Sequence, residues 1–141
     1  MFDKKFEDRL ASWRDFRETL EAHSDPLQAV IDFYYGAPSV SIHTDPWTKS
    51  MWPDPWQLVN ENQYDDFCRV LGMCYSLQLT ERFKGSSFEI HICTDNTTSS
   101  THYLLFVDDY VINWNEESYV HKTVLPESLM SQEKYIMPDL Q

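Results

Sequence analysis

The chain has 141 residues, 42% hydrophobic and 15% aromatic, which is enough apolar material for one core of ordinary domain size and too much for general disorder. Its three glycines leave little for phosphate-cradling loops, so no nucleotide fingerprint is present and no cofactor is implied. A formal charge of -12 opposes nucleic-acid phosphate and anionic lipid, which disfavours direct nucleic-acid binding.

The opening Met1 to Glu7 lacks the cationic segment and apolar run of a signal peptide. No stretch reaches the ~18 apolar residues of a membrane span, so the expectation is a soluble, intracellular protein without membrane contact. From Asp3 to about Ala22, Phe6, Leu10, Trp13, Phe16 and Leu20 recur at helical spacing opposite a charged face, which predicts an amphipathic first helix. Ser24-Asp25-Pro26 reads as the start of a second helix with Leu27, Val30, Ile31 and Tyr34 as its stripe and Gly36 near its end.

Residues 36–56 carry Pro38, Pro46, Pro53 and Pro55, which lack backbone donors and hold their predecessors extended. A loop is predicted there, with a short edge strand at Val40 to His43. Within it Asp-Pro-Trp occurs at 45–47 and 54–56 with Trp52 between, so Trp47, Trp52 and Trp56 sit on constrained backbone. Asp54-Pro55 also looks like a helix start. A central core helix is then predicted from about Gln63 to Phe83, where Phe67, Leu71, Tyr75 and Leu79 form an i, i+4 row.

Gly85-Ser86-Ser87 breaks that pattern, and Phe88 to Cys93 alternates as a half-buried strand should. His102 to Val107 and Tyr110 to Trp114 read as two strands joined by a turn at Asp108-Asp109. With Val107 opposite Tyr110, one face carries His102, Leu104, Phe106, Val111, Asn113 and Asn115. The other carries Tyr103, Leu105, Val107, Tyr110, Ile112 and Trp114, and is predicted to be the buried face or a partner surface. Tyr119 to Val124 offers a further strand, and residues 126–141 read as a tail with a short helical turn. The fold class is therefore α+β in one domain spanning 1–141: N-terminal and central helices packed on a small antiparallel sheet.

Three groupings could carry chemistry. Cys68 near a helix start, His102 on a following strand, and Asn113 or Asn115 across the hairpin could form a thiol site. A helix N-terminus lowers a thiol pKa, an imidazole takes the proton, and an amide orients the imidazole. That order resembles the transglutaminase-like and papain-like cysteine hydrolases, and implies a cysteine amidohydrolase or protease on a related architecture. This chain departs from them in flanking Cys68 with Phe67, Arg69 and Val70 and setting it about a turn inside the helix; small buried cysteines are the plainer alternative. His91, Cys93 and His102, with Asp95 nearby, offer metal-ligand types on neighbouring strands, against the plainer reading of ordinary strand residues. His23, His43 and His121 fall at turns or strand edges and are expected to be exposed. The pairs Asp65-Asp66, Asp108-Asp109 and Glu116-Glu117 could serve acid–base work or Mg²⁺, but such pairs at turns and helix starts ordinarily cap. Cys68, Cys74 and Cys93, odd in number and without CxxC spacing, point to a reducing compartment and away from structural zinc. Trp47, Trp52 and Trp56 could anchor a protein partner, or cover one end of the helical layer.

The segments Trp52-Pro53-Asp54-Pro55-Trp56-Gln57-Leu58, Gly72 to Thr80, Phe88 to Ile92 and Tyr103 to Asp108 resemble an uncharacterised family of small proteins from tailed phages of marine cyanobacteria. The resemblance implies a phage-encoded protein made in a bacterial cytoplasm. A cysteine often stands in that family at the position of Asp65, and a histidine is not constant at that of His102, which weighs against Cys68 as a nucleophile. The expectation is a non-catalytic virion or assembly component that docks through its aromatic loop onto a phage structural or host protein. The enzyme reading, and an acidic decoy of a host nucleic-acid-binding protein suggested by the charge, are its alternatives.

Overall fold

The computed structural model describes residues 1–41 and 44–140; His43, and with it the end of the expected edge strand, lies outside them. Four helices, α1 (Phe6–Ala22), α2 (Pro26–Tyr35), α3 (Pro55–Glu61) and α4 (Asp66–Gln78), precede β1 (Phe88–Asp95), β2 (Thr101–Val107), β3 (Tyr110–Ile112), β4 (Val120–His121) and β5 (Leu129–Ile136). The strands form one sheet in the order β4-β3-β2-β1-β5, and every neighbouring pair is antiparallel. This is the expected α+β class.

Local chemistry explains where the helices begin and end. Asp54 and Gln57 form a reciprocal capping box at the head of α3, and Pro55 occupies its first turn, where a missing N–H costs nothing. The Asp65 carboxylate accepts the Cys68 amide at 2.6 Å, so α4 starts at Asp66 and not at Gln63. It also ends before Phe83: Thr80 Oγ1 donates to the Leu77 carbonyl, and the amides of Glu81 and Arg82 turn outward to the Glu21 carboxylate. Those bonds replace continued helix with contacts to α1.

Helix α4 packs on α2 and on β2, and eleven of its thirteen residues are buried. Gly72 is required at the α2 crossing, because an added Cβ would stand 2.5 Å from Cε1 of Tyr34. One turn on, Ser76 Oγ donates to the Gly72 carbonyl and receives the Trp13 indole N–H at 2.9 Å, with the Tyr34 hydroxyl 3.0 Å away. Three buried polar groups thus satisfy one another inside an otherwise apolar layer.

The hairpin register is the expected one, with Val107 opposite Tyr110 and Asp108 in the left-handed region at φ 52°. Three features differ. Asn113, at φ 79°, ends β3 at Ile112 and breaks the alternation, so Trp114 joins the face of His102 instead of that of Ile112. The Tyr119 to Val124 strand shortens to Val120–His121, followed by a 3₁₀ turn over Lys122–Val124. Residues 129–136 are not a tail but β5, paired along β1 with a bulge between Ile92 and Cys93. The sheet therefore has two unlike faces. Ile90, Leu105, Val107 and Ile112 pack under the helices, while Cys93, Leu104 and Val111 form a smaller core covered by Trp114, Val120, Leu125 and Leu129.

Candidate functional site

The two Asp-Pro-Trp tripeptides are built alike. In each, the aspartate fixes the backbone and the tryptophan turns outward. Asp45 accepts the Trp47 amide at 2.9 Å and the Thr48 hydroxyl at 2.7 Å, bonds that hold its carboxyl below the usual carboxylate range; Asp54 caps α3. Trp47 and Trp56 are left 53% and 52% exposed, too much for core residues of that size. Trp56 rests edge-on against Trp13, with ring centroids 5.5 Å apart. Trp52 does the opposite: it lies half-buried between Phe67 at 4.9 Å and Tyr135 at 4.7 Å. The structure thus divides the three expected anchors, two facing solvent and one packing the loop down on α4 and β5.

Beside Trp47 runs a groove of about 260 Å³. Trp47 and Thr44 of the loop line one side, Asp65, Asp66 and Phe67 at the head of α4 the other, and Tyr103 of β2 closes it. Phe67 and Tyr103 meet edge to face at 5.4 Å. The carboxylate of Asp65 is committed to the loop, accepting the Thr44 amide at 2.9 Å as well as that of Cys68. Asp66 is held by the Asn113 amide and lies near Arg69, yet burial outweighs both and pushes its carboxyl above the usual range. Burial, and then the charges of Asp66 and Asp65, raise the Tyr103 phenol. Aromatic rings and two carboxylates therefore share one small depression.

The proposed thiol site is not assembled. Cys68 is fully buried on the helical side, its Sγ 3.1 Å from Thr44 Oγ1, and burial pushes the thiol up to about 12. His102 pairs with Cys93 and leans on Trp114 at 5.0 Å on the far side of the sheet, its Nε2 2.9 Å from Ser100 Oγ. Asn113 donates to the Tyr103 carbonyl, and Asn115 accepts the Glu117 amide. A nucleophile and base separated by a sheet cannot exchange a proton directly, so the cysteine-hydrolase geometry is corrected. Cys74 and Cys93 are also buried thiols that burial pushes up.

The metal set fares no better. His91 stacks on Phe106 at 4.0 Å, with Nδ1 3.1 Å from Ser131 Oγ and Nε2 3.1 Å from Glu89, and burial lowers its pKa. Cys93 turns to Ser131, His102 to Ser100, and Asp95 binds the amide and hydroxyl of Thr97 in its own turn. Among the described residues no three ligating side chains gather. Instead the acidic pairs cap and tie: Asp65 caps α4, Asp108 accepts the Ser87 amide, and Asp109 meets Lys122 at 2.9 Å. His23 and His121 serve their own turns, each accepting a nearby backbone amide through Nδ1.

Sequence reasoning found Trp47 but not Tyr103 or Phe67 as its neighbours, because the groove joins three segments distant in the chain. Its one available signal was Asp65-Asp66 ahead of a helix whose first aromatic follows at once. Among the described residues no helix is long and apolar enough to cross a membrane. No protein-family model matches the chain, and no curated protein matches it in sequence.

Proposed function

We propose that the protein is a non-catalytic interaction component that docks onto a protein partner through its aromatic loop, with Trp47 as the principal anchor and Trp56 as a second exposed indole. The observation that carries this is the repeated Asp-Pro-Trp device, which holds a large indole half-exposed on backbone already fixed by its own aspartate. Such an anchor loses little entropy on binding, which is why rigid aromatic residues dominate docking surfaces. The resemblance to cyanophage proteins supports a virion or assembly role, with synthesis in the bacterial host cytoplasm and a phage structural or host protein as partner. The charge of -12 supports a protein partner over nucleic acid.

Affinity capture from infected cells, run in parallel with wild-type, Trp47→Ala and Trp52→Ala protein, tests the proposal. Trp47→Ala should lose the captured partner while keeping the wild-type melting temperature, and Trp52→Ala should lose stability. Partner capture that survives Trp47→Ala and Trp56→Ala together overturns it.

A further inference from the structure

We propose that the groove between Trp47 and the head of α4 receives an arginine side chain of the partner, its guanidinium lying against the aromatic walls and donating to Asp66. This rests on the docking function proposed above and names the chemistry that the anchor meets.

Size comes first. At about 260 Å³ the groove falls below the ~300–1,000 Å³ of small-molecule pockets and suits one long side chain. Its walls come second. Trp47 offers a half-exposed indole and Tyr103 a partly exposed ring beside it, surfaces that attract a cation and stack well with a planar one, while Phe67, edge to face with Tyr103, is itself buried. Charge decides the sign. Asp65 and Asp66 both line the groove and no basic side chain among the described residues does, so its charge is complementary to a cation. A neutral apolar side chain would fill the same walls but take water from the two carboxylates without adding a positive charge beside them. A guanidinium satisfies both demands, whereas a lysine ammonium is more strongly hydrated and lacks the flat face. The net charge of -12 adds long-range attraction for a basic segment but does not choose the groove, so the local geometry must do so.

The test uses the ¹⁵N-labelled full chain titrated with the blocked tripeptide acetyl-Ala-Arg-Ala-amide, with citrulline and lysine analogues beside it. The Trp47 indole and the amides of Asp66, Phe67 and Tyr103 should shift together and saturate, and the citrulline peptide should leave them in place. Trp47→Ala should weaken the arginine peptide by about threefold and Asp66→Asn by about tenfold, the scale of an exposed cation–π contact and of a charge-assisted hydrogen bond. Glu117→Gln, in the loop after β3, should change nothing. Shifts spread over the acidic surface without saturation, or equal binding of the citrulline peptide, overturn the proposal; equal binding of the lysine peptide overturns the choice of guanidinium. Because Trp47 is exposed, its variant keeps the test open even if Asp66→Asn disturbs the Asn113 contact. The docking function fails by a separate readout, partner capture unaffected by loss of the exposed indoles, which involves no tripeptide.

Discussion

Helix α4 and the proline-rich loop that crosses it are adjacent in space and opposite in construction. The helix is surrounded by α2, α3, α1 and β2, buries nearly every side chain it has, and owes its position to packing. The loop buries little, and it is held by local bonds from Asp45, Asp54 and Thr48. Tryptophan does opposite work from one position to another: Trp13 and Trp52 pack into or against the core, whereas Trp47 and Trp56 face solvent. The lesson is that a functional surface can be stiff without being buried, provided that the backbone carries its own restraints.

The sharpest contrast concerns reactivity. Cys68 sits where helix and loop meet, with burial pushing its thiol up to about 12, so far less thiolate remains near neutral pH than for an ordinary cysteine. Alkylation of native protein between pH 5 and 9, located by mass spectrometry, should leave Cys68 slow at every pH and fast only after denaturation. Rapid native labelling with a midpoint below that of free cysteine would place the thiol outside the core.

Stability should divide the two regions next. Leu71 is 0% exposed, and Leu71→Ala should cost about 2–5 kcal/mol in denaturant unfolding, the range for emptying a leucine site. Gly72→Ala adds volume where none is available and should cost about 1–3 kcal/mol, since the Tyr34 ring must move. Pairing it with Tyr34→Ala sharpens the test. If the clash is the cause, Gly72→Ala should cost much less in that background, and a full additive loss would point to backbone effects of the glycine itself.

How much of this was visible in the sequence follows the same division. Helices α1 and α2, the Asp54-Pro55 start of α3 and the hairpin register were legible because each rests on neighbours along the chain. The early end of α4 was not, because Glu21 of α1 supplies the acceptors that turn residues 81 and 82 away. Strand β5 was hidden for another reason. As an edge strand with mostly exposed side chains, Met130 to Lys134 has no apolar alternation to announce it. Trp114 was assigned to the wrong face by a strict period of two, which the left-handed Asn113 breaks. In the candidate site Trp47 was legible from Asp45-Pro46, while Tyr103 and Asp66 become its neighbours only through the packing of α4 on β2.

The loop itself should respond weakly and in a set order. Asp54→Ala breaks the capping box of α3 and should cost about 1 kcal/mol, because the Gln57 amide at the helix start loses its acceptor. Trp47→Ala should stay within about 0.5 kcal/mol of wild type, since the indole is half-exposed and the turn that holds it uses the backbone amide of residue 47 together with the Thr48 hydroxyl, neither of which depends on the ring. The two substitutions sit in matching tripeptides, so their difference isolates what the aspartate does from what the tryptophan does. A loss at Trp47 as large as that at Asp54 would mean that the ring supports the loop, and Trp47 would then belong with Trp52 as a packing residue.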